Sequence, residues 1–340
     1  MFPRVVKAQP WAGISELLRS KFNSILFAQS RCVRKPGKER GLNVTPQVTG
    51  TGNSPHNVDA TIAPPEVKRL RASGPILILA VLFVLGAFLS WYFSWFGREL
   101  SDVDIANYLV DQKHPRRVQH ALLQVQQRIE RGDRSATQWY PQIVQLAGSP
   151  EREFRLTVAW LMGFDNKSVE FHEALLQLVQ DPEPIVRRNA ALALVRFNDR
   201  SGGTELRAIL EPYPLLAPSE GVVASTLKEG SLVARGTLVV RINLHDNSVV
   251  EVRSPLPGSL AKIVAPAGTK VAPGGTLLTI SSDEDSLWEA LRGLSLIGEE
   301  KDLAAVEPYA NGSGATPDRI KQQAALTAGA IRSRASSNQK

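Results

Sequence analysis

Gly230-Ser231-Leu232-Val233-Ala234-Arg235-Gly236 and Gly268-Thr269-Lys270-Val271-Ala272-Pro273-Gly274 carry one pattern, G-x-x-V-x-x-G, 38 residues apart. Thr237-Leu238 follows the first copy and Gly275-Thr276-Leu277 the second, each opening a short apolar run. Glycine at such positions supplies the positive-φ turns that reverse a chain between strands. The runs Leu238–Ile242 and Val249–Val252 are rich in β-branched residues and read as half-buried strands. A duplicated set of short strands between glycine turns predicts a small flattened all-β barrel of two interlocked halves, over residues 219–282.

Glu229-Gly230 with Val233 and Gly236, then Ser254-Pro255 leading to Pro257-Gly258-Ser259-Leu260, then Gly268, Val271 and Gly274, resembles the biotinyl/lipoyl-domain family over about 60 residues. That resemblance implies a carrier lysine on the hairpin between the halves, where biotin or lipoate is attached as an amide. Here the hairpin reads Asn243-Leu244-His245-Asp246-Asn247-Ser248, with Asp246 or Asn247 near the lysine position. Without an amine no attachment forms, so the resemblance points to non-carrier members such as the barrels of membrane-fusion adaptors in bacterial export systems. Those adaptors often insert a long helical hairpin between the halves, and this chain has none there.

Outward from this region the pattern becomes helical. Ile143-Val144-Gln145-Leu146, Pro150, Phe154-Arg155 and Ala159 recur 32 residues later as Leu175-Leu176-Gln177-Leu178, Pro182, Val186-Arg187 and Ala191. Helix pairs at this period are the signature of an α-solenoid. Asp181-Pro182 suits a helix start, since proline fits a first turn and aspartate can cap it. These residues resemble HEAT repeats, whose inter-helix turn often carries such an Asp-Pro and whose second helix a Val-Arg pair. A weaker unit is read at Tyr108 to Val125. Beyond the barrel, Pro317-Asp318-Arg319-Ile320 with Ala324-Ala325-Leu326 mirrors the same hand, and Leu287–Leu291 and Leu303–Val306 supply further helices. The solenoid is therefore expected over 101–212 and again over 284–334, with the barrel inserted between repeats and a disordered tail at 335–340.

Ala72 to Gly97 contains no charged residue and is centred on an aliphatic run from Pro75 to Leu85. About 20 apolar residues span a bilayer core, so 72–97 reads as a single transmembrane helix. Lys68, Arg69 and Arg71 precede it and Glu99, Asp102 and Asp104 follow, which places the N-terminus in the cytoplasm and the rest outside. Trp91, Tyr92 and Trp95 fit an aromatic belt. Upstream, Trp11, Ile14, Leu18, Phe22 and Ile25 have amphipathic spacing, and 31–65 reads as a linker; residues 1–71 together form a basic, largely disordered cytoplasmic tail.

Charge sharpens the division. Residues 1–74 hold 12 Lys+Arg against 4 Asp+Glu, leaving 28 against 29 for the remainder. The net charge of +7 is thus an N-terminal property, and nucleic-acid binding by the folded part is disfavoured. Cys32 is the lone cysteine, so no internal disulfide forms. His56, His114, His120, His172 and His245 are scattered, and no P-loop, H-E-x-x-H, G-x-S-x-G or dinucleotide fingerprint is present. No enzyme, metal site or cofactor is expected, and small-molecule binding is disfavoured. Arg155, Arg187 and Arg188 recur at solenoid turns, where an arginine near an aspartate braces neighbouring turns and could also bind an acidic partner. The expected function is an inner-membrane-anchored, extracytoplasmic (periplasmic, bacterial) scaffold or adaptor. Its partners would be other membrane or periplasmic proteins, met through the solenoid and hairpin residues Leu244, His245, Asp246 and Asn247. A transport-system adaptor is the alternative.

Overall fold

The computed structural model describes residues 74–95, 99–312 and 316–338, and the chain divides into two units, 1–98 and 99–340. In the first unit helix α1, Gly74–Trp95, reads GPILILAVLFVLGAFLSWYFSW. Its described side chains from Ile78 to Leu89 are exposed. The membrane anchor expected at 72–97 is not supported. Among the described residues no helix is long and apolar enough to cross a membrane. The inner-membrane, extracytoplasmic placement falls with it. The side chains of Trp91, Tyr92 and Trp95 lie outside the described residues, as do Lys68, Arg69, Arg71, the amphipathic segment near the N-terminus and the 31–65 linker.

The second unit is built on five helix pairs. They are α2 Asp102–Val110 with α3 Pro115–Glu130; α4 Tyr140–Ala147, entered by a 3-10 turn at Arg134–Trp139, with α5 Arg152–Met162; and α6 Val169–Leu178 with α7 Pro184–Arg196. Then come α8 Gly203–Leu210 with α9 Glu284–Ile297, and α10 Leu303–Ala310 with α11 Asp318–Asn338. The starts follow from local chemistry. Ser101 and Ser168 accept backbone N–H groups at the first turns of α2 and α6, and Asp283 does so for α9. Proline opens α3 and α7, where its missing N–H costs nothing. The second helices stack in series, with α3 on α5, α5 on α7, α7 on α9 and α9 on α11. Val118, Leu122, Phe154, Val158, Val186, Ala190, Leu291, Leu294, Ile320 and Ala324 of these helices are all buried. Helix α11 runs on to Asn338, past the tail expected from residue 335.

Residues 211–283 leave the solenoid inside the fourth pair, between α8 and α9, rather than between pairs. The two helices nonetheless pack together: a Cβ on Gly293 of α9 would sit 3.0 Å from Leu206 of α8. The excursion forms eight strands: β1 Tyr213–Leu216, β2 Gly221–Thr226, β3 Leu232–Val233, β4 Leu238–Asn243, β5 Val249–Arg253, β6 Gly258–Ile263, β7 Lys270–Val271 and β8 Thr276–Ser282. The expected barrel is not what they make. They form two separate four-stranded antiparallel sheets, ordered β1-β8-β6-β3 and β5-β4-β2-β7. Each sheet ends on one side in a two-residue strand, β3 or β7, which is too short to carry a ladder round to closure. The module also begins earlier than residue 219, because β1 supplies a strand from Tyr213.

The halves are related as the sequence pattern requires. Exchanging β1–β4 with β5–β8 converts one sheet order into the other. Strands β2 and β6 share one burial pattern, and both slip register one residue beyond equivalent positions, between Val223 and Ser225 and between Leu260 and Lys262. Gly230 donates to the Leu260 carbonyl and Gly268 to that of Val223, each at 2.8 Å. Gly236 donates to Ser254 at 2.7 Å and Gly274 to Ala217 at 2.8 Å. All four glycines have φ between 80° and 90°, the region an L side chain resists. Each turn of one half is thus tied to a strand or loop of the other. Val223, Val239, Ile242, Leu260, Leu277 and Ile280 from both sheets fill one core.

Candidate functional site

The arginines singled out from the solenoid turns form a ladder. Arg155 Nη1 donates to the Ser149 and Pro150 carbonyls at 2.9 and 3.1 Å, clipping the turn of its own repeat. Its Nε and Nη2 reach Asp181 of the next repeat at 2.6 and 3.1 Å. One repeat on, Arg187 Nη1 donates to the Asp181 and Pro182 carbonyls at 2.8 and 3.1 Å. Its Nε reaches Glu205 at 3.0 Å. In the fourth pair the chain departs as β1 where an Asp-Pro turn would stand, and Glu205 of α8 supplies the carboxylate instead. Asp181 also accepts the Glu183 amide at 2.8 Å, so the same residue shapes its turn and anchors its neighbour. Its hydrogen bond holds the Arg155 guanidinium above its ordinary range. These side chains brace the solenoid, each tying one repeat to the next.

Arg188 differs from its neighbour. It is buried at 5% exposure, and burial pushes its pKa down against the opposing fields of Glu205 and Asp283. Its Nε has no hydrogen-bond partner among the described residues, and Glu205 lies 4.0 Å away.

The hairpin Leu244–Ser248 joins β4 to β5. Leu244 is half-buried against the module core, so it anchors the loop from within. Asp246 Oδ1 accepts the Ser248 amide at 3.0 Å and hydroxyl at 2.5 Å, and Asn247 sits at φ 62°. Those hydrogen bonds hold the Asp246 carboxyl below its ordinary range. His245 is exposed, with Nε2 3.5 Å from Glu220. The hairpin presents His245, Asp246 and Asn247 outward on an ordered turn, while Arg155, Arg187 and Arg188 lie in the solenoid.

Two polar links escaped the sequence reading. His172 Nε2 lies 2.6 Å from Asp199, joining α6 to the loop after α7, and its ring stacks on Phe197. Arg235, in the β3–β4 turn, donates to both carboxylate oxygens of Glu153 on α5. The signal for Arg235 lay inside the duplicated motif, whose second copy has Pro273 at that place. Among the described residues no group of three or more His, Cys, Asp or Glu side chains is placed to hold a metal ion.

The HEAT repeats family matches residues 140–216. The match runs from α4 through β1, so HEAT-like repeats are present in the helical part. HEAT repeats generally mediate protein–protein interactions. No curated protein matches the chain. Among solved structures, a single-chain, multi-domain long-chain acyl-CoA carboxylase is similar at 17% identity over 31% of this chain, with a TM-score of 0.20. This chain spans 10% of that protein's length. A crystal structure of an engineered protein is similar at 13% identity, over 68% of this chain and 80% of its own, with a TM-score of 0.36.

Proposed function

We propose that this protein is a scaffold that works through protein–protein contacts and not through catalysis, with the HEAT-like solenoid as one contact surface and the β-module as a second. The observation that supports this most is the ladder itself. Its arginines and acids are consumed in bracing one repeat against the next, which leaves an extended, rigid helical stack. In the β-module, the interlocked halves and the hairpin Leu244–Ser248 favour kinship with the biotinyl/lipoyl family as a non-carrier member. The outward residues His245, Asp246 and Asn247 offer hydrogen-bonding groups and no amine for acylation. Two surfaces on one chain raise the effective concentration of one partner near another.

The test is affinity purification of the full chain with cross-linking mass spectrometry, together with the intact mass of the chain. Cross-links from one partner to the hairpin and from the same or another partner to the exposed solenoid helices support the scaffold. An added mass of biotin or lipoate would overturn the non-carrier reading. A partner whose recovery and cross-links survive substitution of both surfaces would overturn the contact assignment.

A further inference from the structure

The two glycine turns of the β-module are backbone equivalents, but their surroundings differ. In the first, Arg235 Nη1 donates to Glu153 Oε1 at 2.7 Å and Nη2 to Oε2 at 3.0 Å, a two-pronged pair. At the matching place in the second stands Pro273, which has no side-chain donor. The duplication is therefore broken in side chain, and not in backbone, where one copy meets the solenoid. Glu153 lies in the first turn of α5, 82 residues away in sequence. Arg152 contacts the same carboxylate at 3.3 Å. Both members of the Arg235–Glu153 pair are largely withdrawn from water, at 23% and 20% exposure.

The covalent attachments of the module lie elsewhere. Glu211-Pro212 and Asp283 tie it to α8 and α9 of the fourth pair, with Ser282 Oγ donating to the Ile209 carbonyl at 2.8 Å. Glu153 belongs to the second pair. The module is thus held at two points along the edge of the solenoid where the inter-helix turns line up, one covalent and one ionic. A guanidinium fork matched to a carboxylate fixes orientation as well as distance, which a single charge contact does not.

We propose that Arg235–Glu153 is a latch that fixes the β-module along the turn edge of the solenoid, and that opening it lets the module swing about residues 211–212 and 283 while both parts stay folded. The latch sets the position of the module whichever partner the protein binds.

The test uses the full chain in a Cys32→Ser background, spin-labelled at Val169→Cys on α6 and Val249→Cys on β5, both exposed positions. Double electron–electron resonance then reads the distance between solenoid and module. The expected result is a narrow distribution that is lost in Arg235→Ala and equally in Glu153→Gln. The double variant should be no broader than either single, since both remove one pair. Circular dichroism should be unchanged and the melting temperature should fall by no more than a few degrees, with both parts still folded. A distribution that stays narrow in either single variant would overturn the latch, showing that packing holds the module. Loss of β-sheet signal in Arg235→Ala would also overturn it, making Arg235 a residue the fold requires.

Discussion

The solenoid and the β-module both arise from internal duplication, but one repeats by translation and the other by rotation. In the solenoid each 32-residue unit hands an arginine forward to an acid of the next, Arg155 to Asp181 and Arg187 to Glu205. In the module the halves exchange bonds reciprocally, Gly230 to Leu260 and Gly268 to Val223. Translation leaves a unit that depends on its neighbours in series, whereas rotation makes two units that depend wholly on each other. Damage should therefore be graded along the solenoid and all-or-none in the module.

The sharpest way to break this contrast is at the glycines that open β2 and β6. A Cβ on Gly258 would fall inside the Ser281 carbonyl, and one on Gly221 would lie 2.5 Å from Ile242 Cγ2 and 2.6 Å from the Asn243 oxygen. Gly258→Val or Gly221→Val should destabilise the module by about 4 kcal/mol or more, because backbone must move to admit the side chain. Denaturant melts read by far-ultraviolet circular dichroism should lose the β-sheet contribution with the helical signal retained. A module that melts unchanged would refute the interlock.

Next in size is Arg155→Ala. It strands Asp181, whose side chain is 5% exposed, and should cost about 3 kcal/mol, the scale for breaking a buried pair by removing one partner. Arg187→Ala faces the less enclosed Glu205 and should cost about 1–2 kcal/mol. Equal losses in the two variants would argue against a graded ladder.

A smaller effect depends on pH. Burial opposes ionisation of Asp199, but hydrogen bonds from the Ser201 hydroxyl and amide and from His172 outweigh it, and its pKa lies below the ordinary value. A carboxyl whose folded pKa is depressed stabilises the fold above its unfolded pKa, and that stabilisation is lost as pH falls through the folded value. Asp199→Asn should remove about 1 kcal/mol at neutral pH and flatten the acid limb of the solenoid's stability profile. An unchanged acid limb would show that ionisation of Asp199 contributes nothing to the stability of the fold. The smallest effect belongs to Asp246→Ala. The turn it shapes is exposed, so the melting temperature should barely move, and a large fall would show that the hairpin nucleates the module.

What was legible in the sequence follows the same division. The glycine spacing announced both turns of the module, because positive φ restricts residue choice wherever it occurs. The Arg and Asp-Pro spacing announced the ladder. Closure of the module into a barrel was not decided by pattern, since alternation reports which face is buried and not which strand ends a sheet. Strand β1 was missed because Tyr213-Pro214-Leu215-Leu216 carries a proline and too few residues to alternate. The Arg235–Glu153 pair was illegible for a different reason. Two charged residues 82 apart have no local signature, and only the break in symmetry at Pro273 marked the place. The apolar run at 72–97 misled by composition alone.

The position of the module inside the fourth helix pair has a consequence for the order of folding. Helices α8 and α9 cannot find each other cheaply while residues 211–283 are a disordered loop, because closing a long chain costs entropy before any contact repays it. Once the module has folded, its first and last strands, β1 and β8, run side by side and bring the two helix ends together. A distant encounter becomes a local one. The β-module then acts as a kinetic aid: helices α9 to α11 join the growing stack faster once the inserted sheets have formed.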